Sequence, residues 1–151
     1  MTLEELRGLV GREIAVTQWI EITQERINQF ADATDDHQWI HIDRDRAQRE
    51  SPYGTTIAHG FLTLSLLPKF LHDAIQLSDL RMAINYGLNR VRFPSAVRAG
   101  SSIRARIVLQ SMRDVPNVIE AAIEATYSIT VEIQGLEKPG CAAELLARYY
   151  S

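Results

Sequence analysis

Between Ile119 and Ile133 every odd-numbered residue is apolar or aromatic: Ile119, Ala121, Ile123, Ala125, Tyr127, Ile129, Val131 and Ile133. The even positions carry Glu120, Ala122, Glu124, Thr126, Ser128, Thr130 and Glu132. Successive side chains of a strand point to opposite faces, so this period of two predicts a strand with one buried and one wet face. Such alternation belongs to antiparallel sheets, because parallel strands are covered on both faces and read as unbroken apolar runs. The run far exceeds the usual strand of about 5–6 residues. A strand of that length curves strongly or overhangs its partners.

Other stretches share the period. Ile103, Ala105, Ile107 and Leu109 alternate with Arg104 and Arg106, and Ala143, Leu145, Ala147 and Tyr149 give a last strand. Residues 81–93 read as a strand through Met82, Ile84, Tyr86, Leu88, Val91 and Phe93, with Gly87 as a bulge. Asp114-Val115-Pro116-Asn117 reads as a turn. The first half changes to helical spacing. Thr2 can cap a short helix that stops near Gly8 or Gly11, and Ile14 and Val16 suggest a strand. Thr23 is an N-cap for a helix over 24–33, whose Ile27, Phe30 and Ala31 share one face. Asp43 can cap another over about 44–49. From Ala58 to about Ile75, apolar residues lie on nearly all sides of a helix, which predicts burial, and Pro68 should kink or divide it.

An apolar helix of that kind needs a concave apolar face, and long curved strands supply one. The expected fold is α+β: an antiparallel curved sheet wrapped around a long central apolar helix, with 1–151 as a single domain. Composition narrows the function classes. The 151 residues are 46% apolar with a net charge of −3, lacking the basic bias of a general nucleic-acid binder. The single cysteine, Cys141, permits neither an intrachain disulfide nor a cysteine-based zinc cluster. No segment has the roughly 18 continuous apolar residues of a membrane span, and the acidic start of the chain does not look like a signal peptide. A cytoplasmic location is expected, with no membrane and no nucleic-acid partner.

One stretch is not explained by packing. Asp35-Asp36-His37-Gln38-Trp39-Ile40-His41-Ile42-Asp43 puts three acids and two histidines into nine residues. A carboxylate and an imidazole five apart on a loop, Asp36 and His41, can converge on one water molecule. A second run, Ile57-Ala58-His59-Gly60-Phe61-Leu62, sets a glycine at the mouth of the most apolar helix. Base, histidine and unpaired helix amides are the parts of a site that adds water to an activated carbonyl compound, or removes it. The acids with His37 and His41 could also suggest a metal, but this stretch reads as a loop, so the two histidines are not a helical His-x-x-x-His pair, no cysteine cluster accompanies them, and no metal is expected.

At these residues the chain resembles the MaoC-like R-specific enoyl-CoA hydratases, which have a hot-dog fold. Their motif, roughly Gly-Asp-x-Asn-Pro-(Ile/Leu/Val)-His, aligns with Asp35 through His41, and their apolar-x-His-Gly signature with Ile57 through Gly60. A looser pattern corresponds to Val91-Arg92-Phe93-Pro94 through Val97-Arg98-Ala99-Gly100. Asp35 stands for Gly, Gln38 for Asn and Trp39 for Pro. The resemblance implies a cofactor-independent enzyme that hydrates trans-2-enoyl thioesters of coenzyme A or acyl carrier protein to (R)-3-hydroxyacyl thioesters. It implies Asp36 as base and His41 as its partner in orienting water. The Gly60 N–H, at a helix start where donors are unpaired, would hold the thioester oxygen. Gln38 and His59 are assigned to substrate binding, with a structural role, a hydrogen bond to the loop, the favoured reading of His59. A homodimer is expected, since a long exposed edge strand invites pairing. The rival readings are an acyl-CoA thioesterase, a non-catalytic thioester-binding module, or a subunit of a carrier-protein dehydratase.

Overall fold

The computed structural model describes residues 1–117 and 119–151. Helix α1 (Leu3–Arg7) is followed by β1 (Arg12–Val16), β2 (Ile20–Glu21) and α2 (Gln24–Thr34). Then come α3 (Trp39–Ile42), α4 (Arg44–Glu50), α5 (Gly60–Ser65) and α6 (Leu67–Ala74). The chain ends with four long strands: β3 (Met82–Arg92), β4 (Ser102–Val115), β5 (Ala122–Ile133) and β6 (Cys141–Tyr150). Among the described residues these strands form one antiparallel sheet in the order β1-β4-β5-β6-β3, with β2 also on β4.

Period two decides what the sheet buries. Ile103, Ala105, Ile107 and Leu109 of β4 are fully buried, and so are Ala125, Tyr127 and Val131 of β5. They face Ile27 of α2, Leu62 of α5, and Leu67 and Phe70 of α6 in one continuous core. On the outward face of β5, Thr126, Ser128, Thr130 and Glu132 are half-buried, whereas Ala122 and Glu124 are buried. The irregularity expected at Gly87 lies between Asn85 and Gly87 in the β3–β6 register.

The expected caps are used. Thr23 accepts a hydrogen bond from the Arg26 N–H at 3.1 Å to start α2, and Asp43 accepts from the Arg46 N–H at 3.0 Å to start α4. Pro68 divides the apolar helix into α5 and α6, because it has no N–H to continue the ladder.

Three expectations need correcting. The alternating run does not become strand until Ala122, since β4 ends at Val115 and offers no partner further out. Ile119 is 94% exposed. Asp114 and Val115 are therefore strand residues paired with Ile123 and Ala122, and of the expected turn only Pro116 and Asn117 lie outside β4. The apolar helix is not buried on all sides either: Phe61 is 67% exposed, and Leu64, Leu66 and Leu71 are only half-covered. No described helix is long and apolar enough to cross a membrane.

Candidate active site

Helix α2 ends in a reversal. Its C-cap, Asp35, has φ 59° and ψ 21°, the left-handed conformation in which glycine is cheapest. The position where this chain departs from glycine is thus one whose backbone favours it. The reversal leads Asp36 and His37 into the single turn of α3. His37 is exposed and pairs back to Asp32 at 2.9 Å, and that bond raises its pKa. Gln38 is the exposed N-cap of α3, and its side chain makes no capping bond. Trp39 lies under the Arg46 guanidinium, 4.3 Å from the ring centroid, which ties α3 to α4.

The turn of α3 carries His41 inward to 7% exposure. Its Nδ1–H donates to the Ile57 carbonyl at 2.7 Å, while the Ile57 N–H donates to the Ile40 carbonyl at 3.0 Å. A carbonyl only accepts, so Nδ1 carries the proton and Nε2 keeps its lone pair. Burial lowers the pKa of His41. The Ile57 bond and the Asp36 charge oppose that fall, and the neighbouring His59 adds to it. His41 is therefore poised as a neutral acceptor.

The second run is held from the other side. The Ala58 N–H donates to the Val97 carbonyl at 2.7 Å, the Ala99 N–H to Thr56 at 2.9 Å, and Ile57 bridges to Arg98. This accounts for the Val97–Ala99 part of the third pattern: it clamps the segment before the His-Gly pair. His59, 3% exposed, is the N-cap of α5. Its Nε2–H donates to the Asp36 carbonyl at 3.0 Å, and its ring stacks on His41 with centroids 3.8 Å apart and 23° between planes. Its Nδ1 is buried without a partner. Gly60 follows as the first residue of α5, and its N–H has no acceptor among the described residues. A Cβ there would meet the Phe93 ring at 3.0–3.1 Å, tighter than ordinary contact. A cavity of about 260 Å³ lies beside this amide, lined by Tyr53, Ile57, Thr63 and Phe93 among others.

One carboxylate oxygen of Asp36 and one ring nitrogen each of His41 and His59 lie within 4.8 Å of one another. Two groups that share a water at about 2.8 Å each are about 4.6 Å apart at a tetrahedral angle. The spacing therefore suits a bridging water. A shared metal ion fits less well. Ring lone pairs lie in the ring plane, and two stacked imidazoles cannot aim them at one ion unless a ring turns.

Of the residues singled out in the sequence, Asp36, His41 and His59 come together, with Gly60 one residue from His59. Gln38 stays at the rim. Sequence reasoning missed Gln24 and Thr56. Gln24 Nε2 donates to the His41 carbonyl at 2.7 Å, and the buried Thr56 hydroxyl donates to Gln24 Oε1, so the first residue of α2 holds both runs. Neither residue carries a local signal, because both bonds span long sequence separations. Of the arginines in the strand half, Arg104 and Arg106 are paired with Glu132, whereas Arg90, Arg92 and Arg98 are exposed.

Comparison with known proteins places this geometry in context. The family profile described as "MaoC like domain" matches residues 6–132. The chain is 47% identical over 148 residues to 3-hydroxyacyl-thioester dehydratase Z of Mycobacterium tuberculosis, covering 98% of this chain and 95% of that protein. It is 46% identical over 149 residues to nodulation protein N of Rhizobium meliloti, covering 97% and 90%. Among solved structures, the R-hydratase PhaJ1 of Pseudomonas aeruginosa superposes with a TM-score of 0.73 at 19% identity, covering 94% of this chain and 82% of that one, which speaks to fold alone.

Proposed function

The chain belongs to the MaoC-like family with its hot-dog fold, and from that premise we propose that it is a hydro-lyase that interconverts trans-2-enoyl and 3-hydroxyacyl thioesters. The finer reading is an R-specific enoyl-CoA hydratase. The observation that carries it is the convergence of an unpartnered carboxylate and a neutral imidazole acceptor with His59, whose next residue, Gly60, offers a free helix-start amide. In the hydration direction, the Asp36 carboxylate takes a proton from a water that His41 helps to hold. The oxygen of that water bonds to C3, the electron pair of the C2–C3 double bond moves toward the thioester carbonyl, and as that pair returns to C2 it takes the proton from the Asp36 carboxyl, which is restored as the carboxylate. The Gly60 N–H faces the oxygen on which negative charge gathers. Dehydration runs the same steps backwards.

The exposed apolar edge supports a homodimer as the working form. β3 leaves Met82, Ile84, Tyr86 and Leu88 open to solvent, beside Phe61 and Phe93. A monomer mass in solution at micromolar concentration would remove that part of the reading. The activity is tested on crotonyl-CoA and longer enoyl thioesters. Enoyl absorbance falls without thiol release and the product is the (R)-3-hydroxyacyl thioester. Thiol release from a saturated acyl-CoA would instead indicate a thioesterase, and an (S) product would defeat the stereochemical assignment.

A further inference from the structure

His59 is a buried imidazole that touches both Asp36 and His41 and precedes Gly60, although the proposed steps give it no proton to move. Its Nε2–H is bonded to the backbone carbonyl of Asp36, so it fixes the loop from which that carboxylate projects. Its ring covers one face of His41 at 3.8 Å and meets the Phe30 ring at 4.9 Å in a tilted contact, so aromatic neighbours hold it in place. Its backbone is the N-cap that precedes the free amide of Gly60. Both imidazoles donate their one N–H to a backbone carbonyl, His41 to Ile57 and His59 to Asp36, which fixes both tautomers.

We propose that His59 is a positioning residue: it holds the Asp36 carboxylate, the His41 ring and the Gly60 amide in one register, and it locks the orientation of His41. This inference rests on the hydro-lyase reading for its kinetic consequences but not for its electrostatic one. Two protonated rings at stacking distance repel, so His59 also disfavours protonation of His41, in the same sense as burial. The titratable groups that face His41 are His59 at the start of α5 and Asp36 after α2. Asp43, on the other end of α3, is engaged as the cap of α4.

Three substitutions separate the contacts. H59Q keeps a donor for the Asp36 carbonyl and loses the ring. H59F keeps the stack and the burial and loses the donor. H59A loses both. The first readout is the NMR titration of the His41 ring in free enzyme: its midpoint moves to higher pH in H59Q and H59F than in the wild type. The second is kinetic. kcat falls about 100-fold in H59A, the scale of a misplaced catalytic group, with KM nearly unchanged. H59Q recovers about 10-fold of that loss, and the acid limb of kcat/KM moves to higher pH with the His41 titration.

An unmoved His41 titration in both H59Q and H59F would overturn the proposal. So would a rise in KM at constant kcat, which would return His59 to substrate contact, or equal losses in H59Q and H59A. Should H59A fail to fold, H59Q and H59F decide the matter by themselves. If the wild type turns over no enoyl thioester, the hydro-lyase reading fails, and the His41 titration still decides the role of His59.

Discussion

Two of the clusters of titratable side chains in this molecule are built to opposite plans. On the sheet, Glu124 of β5 is 3% exposed between Arg113 of β4 and Arg148 of β6. Its Oε1 accepts from Nε and Nη2 of Arg113 at 3.0 and 2.7 Å, and its Oε2 accepts from Nε of Arg148 at 3.0 Å. Burial pushes its pKa up, but the two guanidiniums push it down further, and it ends below the ordinary glutamate value. Arg148 in turn lies on the Tyr86 ring at 3.4 Å. Both carboxylate oxygens are answered. At the other cluster, the Asp36 carboxylate has no hydrogen-bond partner among the described residues, His41 holds a lone pair, the His59 Nδ1 is buried and unpartnered, and the Gly60 amide is free. Asp36 opens to solvent, whereas His59 Nδ1 is buried, and leaving a buried polar atom unanswered costs stability. A fold tolerates it where the open valences are reserved for water and substrate, so satisfaction, more than the mere gathering of charges, separates scaffold from site.

The sharpest way to break this contrast is to remove one acceptor from the open cluster. Asp36→Asn and His41→Gln are each expected to lower hydration of an enoyl thioester by about 10²–10⁴-fold, the range of a positioned acid–base group. Asp36→Asn should leave the melting temperature close to wild type, since no bond to the carboxylate is lost. Retained turnover in both variants would mean that the open valences are an accident of packing. A large drop in stability for Asp36→Asn would mean that this cluster, too, is scaffold.

The two clusters were also unequally legible in the sequence. The inner faces of β4, β5 and β6 are written in residue alternation, and Thr23, Asp43 and Pro68 act through neighbours a few residues away, so local rules reached them. Asp36 and His41 could be paired because a loop of five residues limits how far apart they can be. Glu124 looked like any outward position of β5, because Arg113 and Arg148 reach it only through strand pairing. Ile119 continued the alternation although its would-be partner strand had already ended. The one-turn α3 is too short to show a period, and the stack of His59 on His41 depends on the clamp at Val97 and Ala99, far along the chain. What was missed depends on tertiary pairing, and the exposure of Phe61 depends further on what covers that face.

The closed cluster offers the complementary test, with a smaller effect. Glu124→Gln removes the charge and keeps the shape. It should cost about 2 kcal/mol of stability, the scale of hydrogen bonds to a charged group. Most of that comes from Arg148, since Arg113 is largely exposed and screened. Hydration should be unchanged. The sign of the pH dependence follows from the lowered pKa: the Glu124 contribution is present above the unfolded carboxylate value and is lost as pH falls through the folded one. Wild type and variant should therefore converge in stability on acidification, as followed by denaturant melts from pH 7 to pH 3. A constant gap across that range would place the loss in packing.

The smallest effect is expected at Asp35, where the two plans meet in one residue, next to the open cluster yet fixed by backbone geometry. An L residue in the left-handed conformation is strained by about 1 kcal/mol relative to glycine, and glycine returns part of that through the larger entropy of its unfolded chain. Asp35→Gly should thus stabilise by about 0.5 kcal/mol, a rise of about 1–2 °C in a chain of this size, measured by calorimetry near neutral pH. Hydration should stay within about 2-fold of wild type, because the Asp36 loop keeps its His59 bond and its reversal. If stability fell instead, the Asp35 side chain would be supplying a contact worth more than the strain. If activity changed by 10-fold or more at unchanged stability, its charge would belong to the open cluster, and the boundary between scaffold and site would lie one residue earlier, at the helix cap itself.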